Sequence, residues 1–563
     1  MKSEPACFQS AFWPVVAGLL LAGAGTPCAA QSASGSSAGD WRITPRLSVG
    51  TTYSDNIRLA PSGEAEGDWV WQVDPGLSIY KQGGRLNLRL DYTAQGLLYT
   101  QNGDANTINN NLLAFGAAEL YQDHFFVDVY GSMSQVPITS SGRVDAGALG
   151  SNDATPSSLV GLFSNLHLGL PGAAELFNPT GIFSNIALTD NQTTQSTFGV
   201  SPYWRQQVGD WAEALLRYRY AAVNYSGSDN PTDLPDRESP DDLSNSRIST
   251  VEFNLTNSRR FSRTRWTLDY FYQQQDDSQD SVGAENGNNR EEHISGQADY
   301  RLTRAWALAA EAGYYNDQST TDTDNRNGPY WGLGATWTPN RFYTMTGLYG
   351  AEFNKLAAQW NPSPRTTLQF SRSDRQVGLN PGVYWDGVFS HRTRFSLWSA
   401  SYLQEVTTSQ QLAADNLAGG GDGQVPIPGP GGSFGVTNAQ FLRKTFNGAV
   451  AYQRGRYHLG LNAFHESREF QEAVNDETTY GAGALWTWRF APRTASFLGT
   501  GWEHSELGDD QQNDYWVSVI GLARVFNPDW GGLISYRYYQ NDADPSDQGF
   551  RENRINARLS VKF

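Results

Sequence analysis

Apolar and polar residues alternate strictly over many stretches of this chain. Leu86, Leu88 and Leu90 fall at one parity of such a stretch, whereas Arg89 and Asp91 fall at the other. Because successive side chains of an extended strand point to opposite sides, this period of two predicts β-strands with one apolar and one polar face.

Strand-like segments of this kind follow one another from residue 41 to the end of the chain. The connections between them alternate between short turns, such as 122–124 and 454–456, and longer acidic loops, such as 226–242. Membrane-spanning up-and-down barrels join their strands in this way, with short periplasmic turns and long extracellular loops. The sequence therefore predicts an all-β, antiparallel transmembrane barrel of about 24 strands, with both ends of the chain in the periplasm.

A barrel of this size would have a wide interior. Strands ~4.8 Å apart and tilted by ~40° give a backbone diameter of roughly 48 Å, so we expect a lumen that holds water, a folded-in segment or both. A β-propeller or a stack of sandwich domains would also give many short strands. A propeller, however, should show a repeat of ~40–50 residues, and none is visible in the sequence.

The last strand has the pattern expected of the strand that closes a barrel. Ile555, Leu559 and Phe563 share its apolar face, and Arg554 and Arg558 share its polar face. A chain that ends on an aromatic residue at the apolar parity resembles bacterial outer-membrane β-barrels. The resemblance implies that Phe563 is part of the signal read by the barrel assembly machinery, and that outer-membrane lipid and lipopolysaccharide surround the protein.

The amino-terminal residues predict export. Lys2 precedes an apolar run, 12–24, and small residues follow it just before Gln31, as in a cleaved signal peptide. The expected division of the chain is a signal peptide, a short periplasmic segment and an outer-membrane barrel, over residues 1–30, 31–40 and 41–563.

Composition excludes several other classes of protein. The mean hydropathy is −0.52, and no apolar run reaches the ~18 residues that a spanning helix needs. Both cysteines, Cys7 and Cys28, lie in the predicted signal peptide, so the mature chain should lack disulfides and Cys-ligated metals. The net charge of −17 argues against nucleic acid, whose phosphates need a basic surface. No cofactor is expected.

One long insertion breaks the strand pattern. It covers residues 137–195, on the extracellular side by parity, and carries apolar residues that a solvated loop does not need, including Leu162, Phe163, Ile182 and Phe183. Two interpretations are open: a cap that packs on the mouth of the barrel, or a lid that enters the lumen.

Four short motifs resemble a known family. They are the stretch 53–63, which begins Tyr53-Ser-Asp-Asn, the stretch 73–78, which reads Val73-Asp-Pro-Gly-Leu-Ser, and the later stretches 390–394 and 405–408. All are similar to the PEP-CTERM system-associated outer-membrane proteins, which accompany exosortase and exopolysaccharide gene clusters. The resemblance implies a barrel linked to making or exporting exopolysaccharide, and it implies no catalytic residues.

The first two motifs also have a purely structural interpretation. Asp55 and Asn56 favour a turn, and Asp74-Pro75 should interrupt a strand, because proline is tolerated in a sheet only at an edge or a bulge. They would then form a first loop and a kink near the seam of the barrel.

Residues that could perform catalysis are few. No Walker A loop, Rossmann fingerprint or HExxH helix occurs. The remaining candidates for a hydrolase at the outer rim are His465, Ser467, Glu503, His504 and Ser505, since Ser, His and a carboxylate are the minimum set for hydrolysis. Adjacent residues on a strand point to opposite faces, however, so no histidine shares a face with its immediate neighbours.

Tryptophan pairs occur at same-face spacing on predicted strands, namely Trp69 with Trp71, Trp331 with Trp337, and Trp486 with Trp488. They favour a girdle at the membrane interface; the alternative, a glycan path, would need the rings to face inward. We therefore expect a non-enzymatic conduit or accessory for exopolysaccharide. The alternatives are a general porin or surface adhesin, and a rim hydrolase.

Overall fold

The computed structural model describes most of the chain from residue 41 onward. The described residues are 41–137, 168–170, 172–177, 186–189, 192–226, 245–258, 260–261, 263–277, 289–319, 326–418, 434, 439–470, 476–507, 511–544 and 549–563.

Strands account for nearly all of this structure. In the first half of the chain they are β1 (Arg42–Ser54), β2 (Asp68–Gln82), β3 (Leu86–Tyr99), β4 (Thr107–Tyr121), β5 (Phe125–Pro137), β6 (Gln192–Val208), β7 (Ala212–Ser226), β8 (Ser246–Asn257), β9 (Thr264–Asp277), β10 (Asn289–Arg301), β11 (Trp306–Tyr315) and the two-residue β12 (Gln318–Ser319). In the second half they are β13 (Gly328–Asn340), β14 (Tyr343–Ala351), β15 (Phe353–Ser363), β16 (Thr366–Arg375), β17 (Gly382–Arg392), β18 (Ser396–Thr407), β19 (Phe441–Arg454), β20 (Tyr457–Phe470), β21 (Glu477–Ala491), β22 (Thr494–Leu507), β23 (Gln511–Asn527), β24 (Trp530–Asp544) and β25 (Phe550–Lys562).

Helical structure is limited to three short elements in the described residues: a 3₁₀ turn (Gly103–Ala105), α1 (Ala173–Leu176) and α2 (Ser409–Ala418). None of these helices is long and apolar enough to cross a membrane.

Antiparallel pairing between neighbours closes the strands into one barrel. The first strand pairs with β2 on one side and with the last strand, β25, on the other, in a register that places Val49 opposite Leu559. Apart from β12, which pairs only with β10, 24 strands form the wall, which confirms the predicted barrel and its size. We call its two ends the short-turn end, where both β1 begins and β25 ends, and the long-loop end.

The alternation predicted from the sequence decides which side chains face out. In β25, Ile555 is 50% exposed on the exterior, whereas Arg554 is 1% exposed and faces the lumen. Leu498, Ile520 and Ile534 are likewise exposed on neighbouring strands. All three predicted tryptophan pairs are exposed too, namely Trp69 with Trp71, Trp331 with Trp337, and Trp486 with Trp488. The exterior is therefore an apolar surface with aromatic rings, as a lipid-facing wall requires.

The wall is not evenly curved, so a single circular diameter does not describe it. Between β11 and β15 it folds so tightly that Lys355 Nζ lies 2.9 Å from Glu311 Oε2 across the two intervening strands. A β-carbon on Gly334 would lie only 1.8 Å from the backbone oxygen of Gly347. Only glycine permits this approach, and glycine in strands commonly marks such bends.

The expected interruption at Asp74-Pro75 does not occur, because β2 runs continuously from Asp68 to Gln82. The β2–β3 ladder instead skips these two residues, passing from the pair Val73 and Gly96 to the pair Gly76 and Thr93. Proline lacks the N–H that the ladder needs. The pairing is therefore lost on the β3 side of the strand, whereas the β1–β2 ladder includes both residues.

Candidate functional site in the barrel lumen

Part of the insertion between β5 and β6 lies inside the barrel. Residues 168–170 and 172–177, which we call the lumen segment, contain α1. Their buried side chains Leu168, Leu170, Leu176 and Phe177 form one hydrophobic cluster with inward-facing residues of β20–β25, including Phe464, Leu485, Phe497, Val519 and Leu533. This side of the lumen wall is apolar where the lumen segment covers it.

The lumen segment reaches the far end of the barrel from its own attachment points. Both β5 and β6 meet the insertion at the long-loop end, yet Phe177 packs against Gly531 at the start of β24, at the short-turn end. Arg489, near the short-turn end of β21, donates a hydrogen bond of 2.9 Å to the carbonyl oxygen of Gly169. The lumen segment therefore lies at the opposite end of the barrel from the strand ends that flank the insertion.

Two glycines shape the turn of the lumen segment. Gly169 and Gly172 have φ values of +63° and +76°, in the left-handed region that glycine enters without a steric cost. The backbone can thereby reverse direction directly beneath the turn at Pro528, whose carbonyl oxygen would lie 3.8 Å from a β-carbon on Gly172.

The insertion returns to the long-loop end at residues 186–189. The N–H of Leu188 donates to the carbonyl oxygen of Ile57 at 2.8 Å. The hydroxyl of Tyr99 donates to the carbonyl oxygen of Ile186 at 3.0 Å. Ile186 is buried with Ile57, Val70, Leu97 and Tyr99. The four residues singled out as a lid, Leu162, Phe163, Ile182 and Phe183, lie outside the described residues.

A second connection enters the lumen from the opposite side. Helix α2 follows β18 but packs on β5–β8, where Ala414 contacts the inward-facing Ala221 and Ile248. Arg219 joins the helix to the wall, with Nη1 2.8 Å from Asp415 Oδ1 and Nη2 3.1 Å from Glu252 Oε1.

The start of α2 is stabilised by a reciprocal cap. The N–H of Gln411 donates to Thr408 Oγ1 at 3.1 Å, and the N–H of Thr408 donates to Gln411 Oε1 at 3.2 Å, which is a capping box. The hydroxyl of Thr408 also donates to Gln275 of β9 at 2.9 Å. Sequence reasoning missed this helix, although the capping box followed by Leu412, Ala413, Ala414 and Leu417 is a recognisable helix start.

Charged residues in the lumen are largely paired. Near the long-loop end, Arg443 bridges Glu405 at 3.0 Å and Glu466 at 2.8 Å, and Arg468 lies 3.2 Å from Glu466. The Arg468 guanidinium also lies 4.0 Å from the ring centroid of Phe434. At the seam, Arg558 of β25 pairs with Asp74 of β2 across β1, so the wall is closed by side chains as well as by its backbone ladder.

A buried carboxylate ties together the loops at the mouth. Asp317, 1% exposed, accepts the N–H of Glu292 at 2.9 Å and that of Leu379 at 3.1 Å. Burial, followed by the nearby charge of Glu291, raises the pKa of Asp317 to about 7. These two hydrogen bonds, which we call the Asp317 knot, join β10, the β11–β13 connection and the β16–β17 connection.

The structure places the hydrolase candidates on both sides of the wall. His465, Ser467 and His504 face the exterior, where His504 Nδ1 lies 3.1 Å from Asp514 Oδ1. Glu503 and Ser505 are buried on the lumen side, and Ser505 lies 3.0 Å from the hydroxyl of Thr479. The wall thus separates Glu503 and Ser505 from both histidines. Among the described residues, no group of three or more His, Cys, Asp or Glu is placed to hold a metal ion.

A closed antiparallel barrel with a lipid-facing exterior defines this chain as an integral protein of the bacterial outer membrane. Its short-turn end faces the periplasm and its long-loop end the cell exterior. Two of its own connections, the lumen segment and α2, occupy the interior.

Comparison with known proteins adds structural neighbours only. No family model matches the sequence, and no curated protein is similar to it. Solved structures with a similar layout include the siderophore receptor PirA from Acinetobacter baumannii, at 9% identity and a TM-score of 0.40, covering 92% of this chain and 80% of that chain. The FrpB iron transporter from Neisseria meningitidis is similar at 10% identity and a TM-score of 0.43, covering 93% and 83%. The ferric-catecholate import receptor Fiu from E. coli K12 is similar at 10% and 0.44, covering 94% and 82%. The barrel itself is established by the strand pairing described above.

Proposed function

We propose that this protein is an outer-membrane conduit whose lumen is held closed at rest by the lumen segment. The observation that carries the proposal is the seat of Phe177 and Leu176 on an apolar patch of the wall at the periplasmic end. A loop that only covers the mouth would have no reason to cross the lumen and bury apolar side chains there.

The closed state should be strongly favoured and still reversible. Burial of one large apolar side chain contributes roughly 1.5–3 kcal/mol. Burial of two such side chains therefore favours the form with the lumen segment packed on the wall over the released form by about 100-fold or more. The described polar tie of the lumen segment to the periplasmic part of the wall is the bond from Arg489 to a backbone oxygen. A cargo or partner that offsets a few kcal/mol could therefore release the segment.

The rest of the lumen wall suits a hydrated cargo. Arg89, Arg205, Glu213 and Asp299 face the lumen near its periplasmic end and are a third to a half exposed. The family resemblance of the motifs at 53–63 and 73–78 supports exopolysaccharide as the cargo, because a polymer of hydroxyl groups matches a polar, water-filled path. A general porin would share this wall, so the cargo must be tested separately from the closure.

Single-channel conductance in planar bilayers tests the proposal. Wild type should show small or rare openings, and a variant lacking 157–188 should show large, persistent ones. A variant lacking 279–287, in the β9–β10 connection, controls for loop removal and should behave as wild type. Equal conductance in all three proteins would contradict the closure.

Exopolysaccharide fragments added to the open variant then address the cargo. Block by these fragments, with none by dextran of matched length, would support a polysaccharide conduit. Indifference to both polymers would favour a general porin.

A further inference from the structure

Arginine recurs in the periplasmic turns along one side of the barrel. The seven consecutive turns from β8–β9 to β21–β22 each contain at least one arginine and no acidic residue. We call the described members the arginine arc: Arg260, Arg263, Arg304, Arg341, Arg365, Arg394, Arg456 and Arg493.

The arc does not follow from the composition of the chain. The whole protein carries a net charge of −17, and three of the other periplasmic turns contain an aspartate, namely Asp123, Asp210 and Asp529. The fourth, β2–β3, contains Arg85. Positive charge is therefore concentrated on, but not confined to, the sector from β8 to β22.

The arginines of the arc are exposed and carry uncompensated charge. Among the described residues, none of the eight forms an ion pair. Of the arginines that face the lumen at the same end, Arg205 lies 3.7 Å from Glu213 and Arg265 lies 3.7 Å from Asp299. Arg301 and Arg392 also face the lumen there and form no ion pair within the described residues. Most of the unpaired positive charge at this end therefore belongs to the turns, which carry the eight arginines of the arc.

Four arginines of the arc are next to an exposed aromatic residue in the sequence, and two of them lie against its ring. An aromatic residue directly follows Arg260, Arg341, Arg394 and Arg456, and these rings, of Phe261, Phe342, Phe395 and Tyr457, are 37% to 47% exposed. The guanidinium carbon lies 4.7 Å from the ring centroid in the pair Arg341 and Phe342, and 5.0 Å in the pair Arg394 and Phe395.

One of these rings, that of Tyr457, belongs to the aromatic belt at the boundary between membrane and water. Tyr457 stacks with the lipid-facing Trp486 and Trp488, at centroid distances of 6.3 and 6.2 Å. Aromatic belts of barrels lie at the depth of the lipid head groups, so a guanidinium held on such a ring lies at that depth too.

We propose that the arginine arc binds the phosphate groups of anionic phospholipids in the periplasmic leaflet. A guanidinium presents a planar fork of donors that matches phosphate, and an anionic membrane surface attracts arginine within about a Debye length. A polyanion at the lumen mouth would meet the inward-facing Arg301 and Arg392, whereas Arg341 and Arg394 lie on exposed aromatic rings of the turns. The position of these two arginines on the rings favours lipid phosphate. This inference does not depend on the conduit proposal.

The test uses the mature protein reconstituted in vesicles of equimolar phosphatidylcholine and phosphatidylglycerol. Native mass spectrometry counts each lipid that the released barrel retains. Wild type should retain phosphatidylglycerol in clear excess, and the triple variant Arg341→Gln, Arg365→Gln, Arg394→Gln should lose at least half of that excess.

A matched triple variant, Arg247→Gln, Arg326→Gln, Arg551→Gln, removes the same charge from exposed positions at the extracellular end and should retain the wild-type excess. Replacing the three arc residues with lysine keeps the charge without the fork, and should give an intermediate excess. Heat-modifiable electrophoretic mobility verifies that every variant is a folded barrel.

Equal lipid ratios in wild type and both glutamine variants would overturn the proposal. Binding of dextran sulfate by wild type, without any excess of phosphatidylglycerol, would overturn it in favour of a polyanionic polymer.

Discussion

The ring of Phe177 lies directly over Gly531, where a β-carbon would be only 2.8 Å from Phe177 Cζ. Phe177 belongs to a connection that leaves and rejoins the barrel at the extracellular end, whereas Gly531 is the second residue of β24 at the periplasmic end. The contact thus joins a residue of an extracellular connection to the periplasmic rim.

Removing this ring should loosen the closure without unfolding the barrel. Phe177→Ala deletes a buried ring, a change that costs ~3–5 kcal/mol in a protein core. Here the lost free energy is that of packing the lumen segment on the wall, because Phe177 is not part of the strand ladder that holds the barrel together. We expect more frequent channel openings at an unchanged thermal unfolding temperature.

Phe446→Ala, which removes a ring from the lipid-facing side, is the matched control and should leave conductance unchanged. If the Phe177→Ala channel opened no more often than the Phe446→Ala channel, the packing of Phe177 on the wall would not be what keeps the lumen closed.

The anchor of α2 gives a second prediction. Arg219→Met would leave Asp415 and Glu252 without their shared partner. Because Asp415 is half exposed, we expect a loss on the order of 1 kcal/mol, seen as roughly five-fold faster amide exchange in 409–418. In the control Arg205→Met, the removed pair with Glu213 is longer and more exposed, and exchange in α2 should not change. Unaltered exchange in both variants would show that hydrophobic packing alone holds the helix.

The knot at Asp317 should respond to pH. The folded-state pKa of about 7 lies above the ordinary value of 3.8, so the folded state binds the proton more tightly than the unfolded state. The knot is therefore most stable below about pH 4 and loses stability as pH rises toward about 7. Amide exchange at Glu292 and Leu379, corrected for its intrinsic pH dependence, should accelerate over this range.

Asp317→Asn keeps an acceptor without the charge, and should make the exchange at these amides nearly independent of pH. Two other titratable groups lie close by, Glu291 and His293, which are 3.6 Å apart. A pH dependence that survives in Asp317→Asn would assign the effect to that pair.

Much of the barrel could be predicted from local patterns. The alternation of Leu86, Leu88 and Leu90 with Arg89 and Asp91 gave the correct faces, because one side of such a strand meets lipid and the other meets water or polar groups. The turn positions followed from the same pattern, and with them the number of strands.

The sequence left open whether the insertion caps the barrel or enters the lumen, and β23 shows why. Tyr515, Val517 and Val519 face inward, while Trp516 and Ile520 face outward, so both faces are apolar and the alternation disappears. Such a run indicates a strand covered on both sides. It does not identify the covering segment, because that depends on which distant residues fit the surface.

The tight bend and the second lumen element had weaker signals. Gly332, Gly334, Gly347 and Gly350 mark the bend in β13 and β14, but glycine alone does not reveal that two strands approach closely. The capping box at Thr408 predicts where α2 begins, but the wall that α2 meets is known only from its contacts in the structure, such as the Arg219 ion pairs and the packing of Ala414.

The most direct test of the account is photo-crosslinking from position 177 in the folded, membrane-inserted protein. With benzoylphenylalanine in place of Phe177, peptide mapping should find the cross-link in β23 or β24 close to Gly531. Cross-links confined to the extracellular loops would show that the segment stays at the mouth of the barrel, and would contradict a lumen closed from within.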